Sequence, residues 1–254
     1  MLNIAFFLFV ALLFPLTDLW LYPRLQRATA GGAPGARVRY HLLGAVMLWL
    51  LGASSVTLVL RERQPWRDLR LDVASPIRLG AGLAVVIAYI AYVMTKRPAL
   101  VRSPERLRRL VQKHAYAQAL APHTPAEAKT FALLSVSAGV WEEIVYRGFM
   151  LWFATMWIGL WPAAVATSLL FGVAHVYLGK KQIPRTAAAG LLFAVLAIAT
   201  GSLLPGIVLH AFTDLFSGDL FYRASRSEAL EQVGHERLRE TIGNGADGAA
   251  LLVE

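Results

Sequence analysis

There is no cysteine anywhere in the chain, which excludes disulfides, thiolate nucleophiles and cysteine-based metal sites. Charge is scarce too. Only 16% of the 254 residues are Asp, Glu, Lys or Arg, against 57% hydrophobic, and a soluble domain averages about 25% charged. The first apolar run, 2–21, lacks the basic n-region and the small-residue cleavage site of a secretory leader. It also holds Pro15 and Asp18, so it is expected to stay as a membrane span. No internal repeat is present.

What the chain does have is a series of apolar runs of about 17–22 residues, the length that crosses a bilayer as a helix. The expected fold is all-α: a polytopic transmembrane helix bundle of about seven or eight spans. Those legible lie near 3–22, 40–60, 79–95, 124–147, 160–178, 187–200 and 203–221. Residues 1–222 are expected to form the membrane domain. Residues 223–254 should be a polar tail with one short helix before a disordered "GNGADGAALLVE". Ser103-Pro104 reads as an N-cap and first helical position for a short basic helix, lying at the interface or serving as a solvated linker. Thr124-Pro125-Ala126-Glu127 reads as a capping box, and Gly201-Ser202 as a tight turn.

The net charge is +9, but the basic residues lie between the apolar runs. They suit loops against anionic headgroups, and nucleic acid is not an expected partner. Basic residues gather after spans 1, 3 and 5 and in the tail, whereas the loops after spans 4 and 6 have none. This favours an outside N-terminus and a cytoplasmic tail. Arg61, Arg63, Arg67, Arg70 and Arg78, in the loop after span 2, run against it. The expected location is a bacterial-type inner or plasma membrane, or an equivalent one.

Within the later spans the ionisable residues are few: Glu142, Glu143, Arg147, His175, His210, Asp214 and, at the margin, Asp219. Each charge at mid-bilayer costs roughly 2.5–3.5 kcal/mol on insertion scales. These groups must therefore face the bundle interior, pair, or lose their charge. Glu143 and Arg147 are four apart on one face, acid before base, and can pair. Glu142 lies about 100° round the helix and is left free. Phe171 and His175 share a face, as do His210 and Asp214. Singly, each has a plain structural reading: a buried ion pair, or a core histidine with its hydrogen bonds satisfied. Together, in apolar helices, they point to a site. One carboxylate with two histidines suits water activation, with Glu142 as general base and the histidines holding the water or the developing oxyanion. The same Glu142, His175 and His210 could instead hold a divalent metal such as zinc.

The motifs "EEIVYRG" (142–148), "FGVAH" (171–175) and "HAFTD" (210–214) resemble the CPBP family. This is the CAAX-prenyl-endopeptidase and bacteriocin-processing family of intramembrane proteases, also called Abi. Its patterns are E-E-x-x-x-R, F-x-x-x-H and H-x-x-x-N/D, in that order on successive helices. The resemblance covers about residues 130–218. It implies an endopeptidase open to the membrane, with membrane lipid and a membrane-associated or lipidated protein or peptide as partners. It makes Glu142 the water-activating carboxylate assisted by His175, and His210 and Asp214 the oxyanion support. Glu143 and Arg147 would stabilise the site. It allows a metal-dependent or a metal-free mechanism. The third motif ends in Asp214 where CAAX-processing members typically have Asn, and an ionised Asp cannot donate to an oxyanion. Two other readings stay open: a non-catalytic membrane scaffold or immunity-type protein of the same fold, and a transporter or proton relay. A relay needs ionisable groups strung through the membrane's depth, and spans 1–3 offer little beyond Asp18.

Overall fold

The computed structural model describes residues 1–61, 69–71 and 75–250, with backbone only at 115 and 228–250. The described residues form eight helices and no strand. Helix α1 (Leu2–Ala30) is followed by α2 (Ala36–Arg61), α3 (Pro76–Val101) and the short α4 (Pro104–Lys113). Helix α5 covers 125–158, α6 Leu160–Ala174, α7 Ile183–Thr200 and α8 Leu204–Ala250.

Local chemistry sets the helix starts. The Ser75, Ser103 and Thr124 side chains each accept from the backbone N–H three residues on, and a proline follows each. At Thr124 the Glu127 carboxylate also reaches back to the cap's own N–H, completing the capping box. Gly201, at φ 70°, closes α7 in the left-handed conformation and begins the turn into α8.

Among the described residues four helices are long and apolar enough to cross a membrane: α1, α2, α3 and Lys180–Thr200, which contains α7. The chain is an integral membrane protein. The other three expected spans fall on α5, α6 and α8. Helix α6 is apolar but short, while α5 and α8 carry the ionisable residues of the motifs.

Helix α5 is longer than expected. It does not end near Arg147 but runs on to Ile158, because no breaker intervenes before Gly159 at φ 81°. Between Ile144 and Met150 its turns widen to π geometry, directly after Glu142 and Glu143. Such single-turn π stretches are frequent at functional sites. Helix α6 ends at Ala174, earlier than expected, and two 3₁₀ turns carry the chain from Val176 to Gln182. The backbone of α8 stays helical through the polar stretch after Arg223 to Ala250, where one short helix was expected. Most of the polar connection between α2 and α3, and the last four residues, lie outside the described residues.

Helix α5 packs along α2 on one side and α8 on the other, and α6 and α7 form an antiparallel pair beside them. Connections alternate between two ends. At one end, Tyr22 donates to the Tyr116 carbonyl and rests edge-on against Tyr177, and Arg37 donates to the Ala119 carbonyl. At the other end, the Leu203 N–H donates to the Arg70 carbonyl. The connections after α1, α4 and α6 therefore share one end of the bundle.

Asp219, a marginal member of the polar set, is neutralised away from the others. It accepts from Arg97 on α3 at 2.7 Å and from Arg223 on its own helix at 2.9 Å. On α4, Leu107 is buried with Leu220 and Ala224 of α8. Its apolar stripe is covered by the bundle, so α4 is neither laid on lipid by that face nor a free linker.

The α5–α8 seam depends on one close approach. A Cβ added at Gly139 would stand 2.7 Å from the Ala211 backbone nitrogen, next to His210. Backbone there cannot yield cheaply, and overpacking costs typically about 1–3 kcal/mol. Gly139→Val should lower the melting temperature in detergent, whereas Gly80→Ala, where a Cβ meets nothing within 4 Å, should not. Equal melting curves for the two variants would contradict this packing.

Candidate active site

Three helices bring the motif residues together. Glu142 and Glu143 sit on α5 at the start of its π stretch, His175 caps the end of α6, and His210 lies two turns into α8.

The most buried part is a three-residue link. Arg147 Nη1 donates to Glu143 Oε1 at 3.0 Å, and His210 Nδ1 donates to that same oxygen at 2.9 Å. The Glu143 and Arg147 side chains are 1% and 2% exposed. The guanidinium lies over the Phe171 ring, 4.2 Å from its centroid. Its Nη2 reaches under Gly190, where a Cβ would stand 2.8 Å away. The sequence pattern paired Glu143 with Arg147 alone. The second bond, to a residue 67 positions later, has no local signal.

Above this link three polar atoms converge. Glu142 Oε2 lies 4.0 Å from His175 Nε2 and 3.9 Å from His210 Nε2, and it has no hydrogen-bond partner among the described residues. Both rings are oriented from behind. His175 Nδ1 bonds the Phe171 carbonyl at 2.8 Å, and a carbonyl only accepts, so Nδ1 carries the proton. In the neutral ring this leaves Nε2 as a lone pair facing Glu142. His210 is set the same way by the Glu143 carboxylate, and its ring stacks on Phe193 at 5.0 Å.

Asp214 is at the rim. Its Oδ2 stands 3.7 Å from His210 Nε2, beyond hydrogen-bond length, and its side chain is 41% exposed. The orienting group of His210 is therefore Glu143, a role that spacing alone would give to Asp214. Donor atoms about 2.0–2.1 Å from a tetrahedral zinc stand about 3.3–3.4 Å apart. The separations around Glu142 are wider. Among the described residues no group of three His, Asp or Glu forms a metal ligand set. As placed, Glu142, His175 and His210 do not fit a metal shell.

Sequence reasoning passed over the contribution of the first two helices. Asp18 of α1 lines the same small cavity as Glu142 and His175 and accepts a 2.9 Å hydrogen bond from Tyr40 of α2. The fully buried His41, by contrast, is satisfied by Thr130 and the Leu120 carbonyl, both at 2.9 Å. It is a packing histidine.

The link predicts an order of damage. Arg147→Ala removes the guanidinium paired with Glu143 in a low-dielectric interior, and breaking a buried pair costs roughly 3–5 kcal/mol. Glu142→Ala removes an unpaired carboxylate and leaves no broken partner. Folded yield and melting temperature in detergent should therefore fall well below wild type for Arg147→Ala and stay near it for Glu142→Ala. Arg147→Lys should not rescue, since an ammonium cannot reproduce the planar stack on Phe171. Equal stability of the Ala variants would contradict the link.

No curated protein and no solved structure matches the chain. A family model does match, over residues 124–216, and its description is type II CAAX prenyl endopeptidase, Rce1-like. That stretch begins at the cap of α5 and ends past Asp214, so it holds the three helices that surround Glu142. Residues 124–216 are thus similar to the family of Rce1-like type II CAAX prenyl endopeptidases, in agreement with the resemblance carried by the three motifs.

Proposed function

We propose that the protein is an intramembrane endopeptidase in which Glu142 activates a water molecule. The observation that carries this reading is the unpartnered Glu142 Oε2, about 4 Å from two imidazole Nε2 atoms. A water seated over three atoms so spaced makes hydrogen bonds of ordinary length, about 2.8 Å. A scaffold has no use for such a gap, and filling it with protein would be less costly than leaving a carboxylate unpaired.

In this mechanism the Glu142 carboxylate takes a proton from the water as the oxygen adds to the scissile carbonyl carbon. His175 Nε2 holds the water in place. His210, as imidazolium, would donate from Nε2 to the developing oxyanion, with the Glu143 and Asp214 carboxylates on either side offsetting its charge. The tetrahedral intermediate then breaks its C–N bond, and the proton held by Glu142 passes to the leaving amine. Glu143 and Arg147 act through His210. The substrate class is a membrane-associated or lipidated protein or peptide, and the setting a bacterial-type inner or plasma membrane.

Purified protein in proteoliposomes, given an internally quenched farnesylated peptide with a CAAX end, tests this directly. Wild type should cleave it, and Glu142→Gln and His175→Ala should each lose at least about a hundredfold in kcat, the usual worth of a positioned acid–base group. Both should keep wild-type melting temperatures. Glu142→Gln turnover above a few per cent of wild type would remove the general base. A wild type that binds the peptide without cleaving it would favour the non-catalytic scaffold.

A further inference from the structure

Hydrolysis consumes one water per turn, and this site lies among apolar helices. A cavity of about 40 Å³ adjoins it, lined by Asp18, Leu51, Glu142, Tyr146, His175 and Tyr177 among others. At about 10–15 Å³ per water centre, it has room for roughly two or three waters. An apolar cavity of that size would stay dry, but this one has a carboxylate at each side. Glu142 comes from α5 and Asp18 from α1, which lies outside the residues matched to the family model.

Asp18 is also held in a defined orientation. The Tyr40 hydroxyl donates to its Oδ1 at 2.9 Å. Tyr40 is in turn braced edge-on by Tyr22, which rests against Tyr177. With Oδ1 taken by Tyr40, Oδ2 is the oxygen left for water. A carboxylate in the first span is costly unless something in the bundle uses it.

Resting on the endopeptidase reading, we propose that Asp18, fixed by Tyr40, is a positioning residue for the water that adjoins the nucleophile. Its second oxygen accepts a hydrogen bond from a water in the cavity, keeps that cavity wet, and sets that water beside the nucleophilic one, whose two hydrogens go to Glu142 and the His175 Nε2 lone pair. The cavity water then replaces the one that each turnover consumes.

The two parts of this role separate in two variants. In Asp18→Asn the Tyr40 hydroxyl still fixes the side-chain oxygen, so the amide NH₂ points into the cavity. The cavity stays polar, but the water there now accepts a bond where it donated one, and is turned relative to the site. In Asp18→Leu the cavity loses its polar wall. Hydroxyl-radical footprinting by X-ray radiolysis reads hydration without reference to activity, because oxidation of the buried Tyr146 needs water inside the protein.

Asp18→Asn should keep wild-type oxidation at Tyr146 and lose about tenfold in kcat on the farnesylated peptide, the worth of one hydrogen bond of about 1.4 kcal/mol. Its KM should stay within about twofold. Asp18→Leu should cut Tyr146 oxidation at least threefold and lower kcat further. Wild-type kcat in Asp18→Asn, or unchanged Tyr146 oxidation in Asp18→Leu, would overturn the proposal. Failure of the wild type to cleave the peptide would instead defeat the endopeptidase reading, and the footprinting comparison would still decide whether Asp18 holds the water.

Discussion

One oxygen atom carries most of the constraint in this structure. Oε1 of Glu143 accepts from both Arg147 and His210, at 3.0 and 2.9 Å, in a place where all three side chains are almost wholly buried. Removing the guanidinium would leave a carboxylate in an interior that cannot solvate it. Removing the carboxylate would leave a guanidinium and an unanchored ring. The bundle is shaped around keeping the three together. Gly190 makes room for the guanidinium, Phe171 supplies a ring beneath it, and the Gly139–Ala211 approach brings α8 close enough for His210 to reach.

That link also sets the chemistry beside it. With His210 held from Nδ1 and His175 held by the Phe171 carbonyl, both Nε2 atoms are turned toward Glu142. Of the adjacent pair on α5, Glu142 is the carboxylate that the link does not use. Its freedom follows from its place on α5, about 100° round from Glu143. The widened turns that begin at Ile144 follow directly after it. Adjacent residues thus differ in role: Glu143 holds α5 to α8, and Glu142 is left unpaired.

Much of this was legible in the residues themselves. The i,i+4 spacing of Glu143 and Arg147 is local, and the structure places the pair as that spacing requires. The caps at Ser103 and Thr124 and the turn at Gly201 are local too. So is the rule that isolated charges in apolar helices must turn inward, which is why Glu142, His175 and His210 could be grouped before any coordinates. What stayed hidden is long-range or cumulative. The Glu143–His210 bond joins residues 67 apart, and Asp18 meets Glu142 only because α1 folds back across α5. Helix α5 runs past the expected end near Arg147 because no breaker stands before Gly159. Paired and stacked, Arg147 is a buried residue in the middle of a longer helix.

The central claim is that Glu142, His175 and His210 are arranged around a single water. An experimental structure at a resolution that shows ordered solvent tests this most directly. The account predicts one water within about 3 Å of Glu142 Oε2 and of both Nε2 atoms, with Glu143 Oε1 bridging Arg147 and His210 beneath it. A Glu142 carboxylate bonded to a protein group, or either imidazole turned so that its Nε2 faces away, would contradict it.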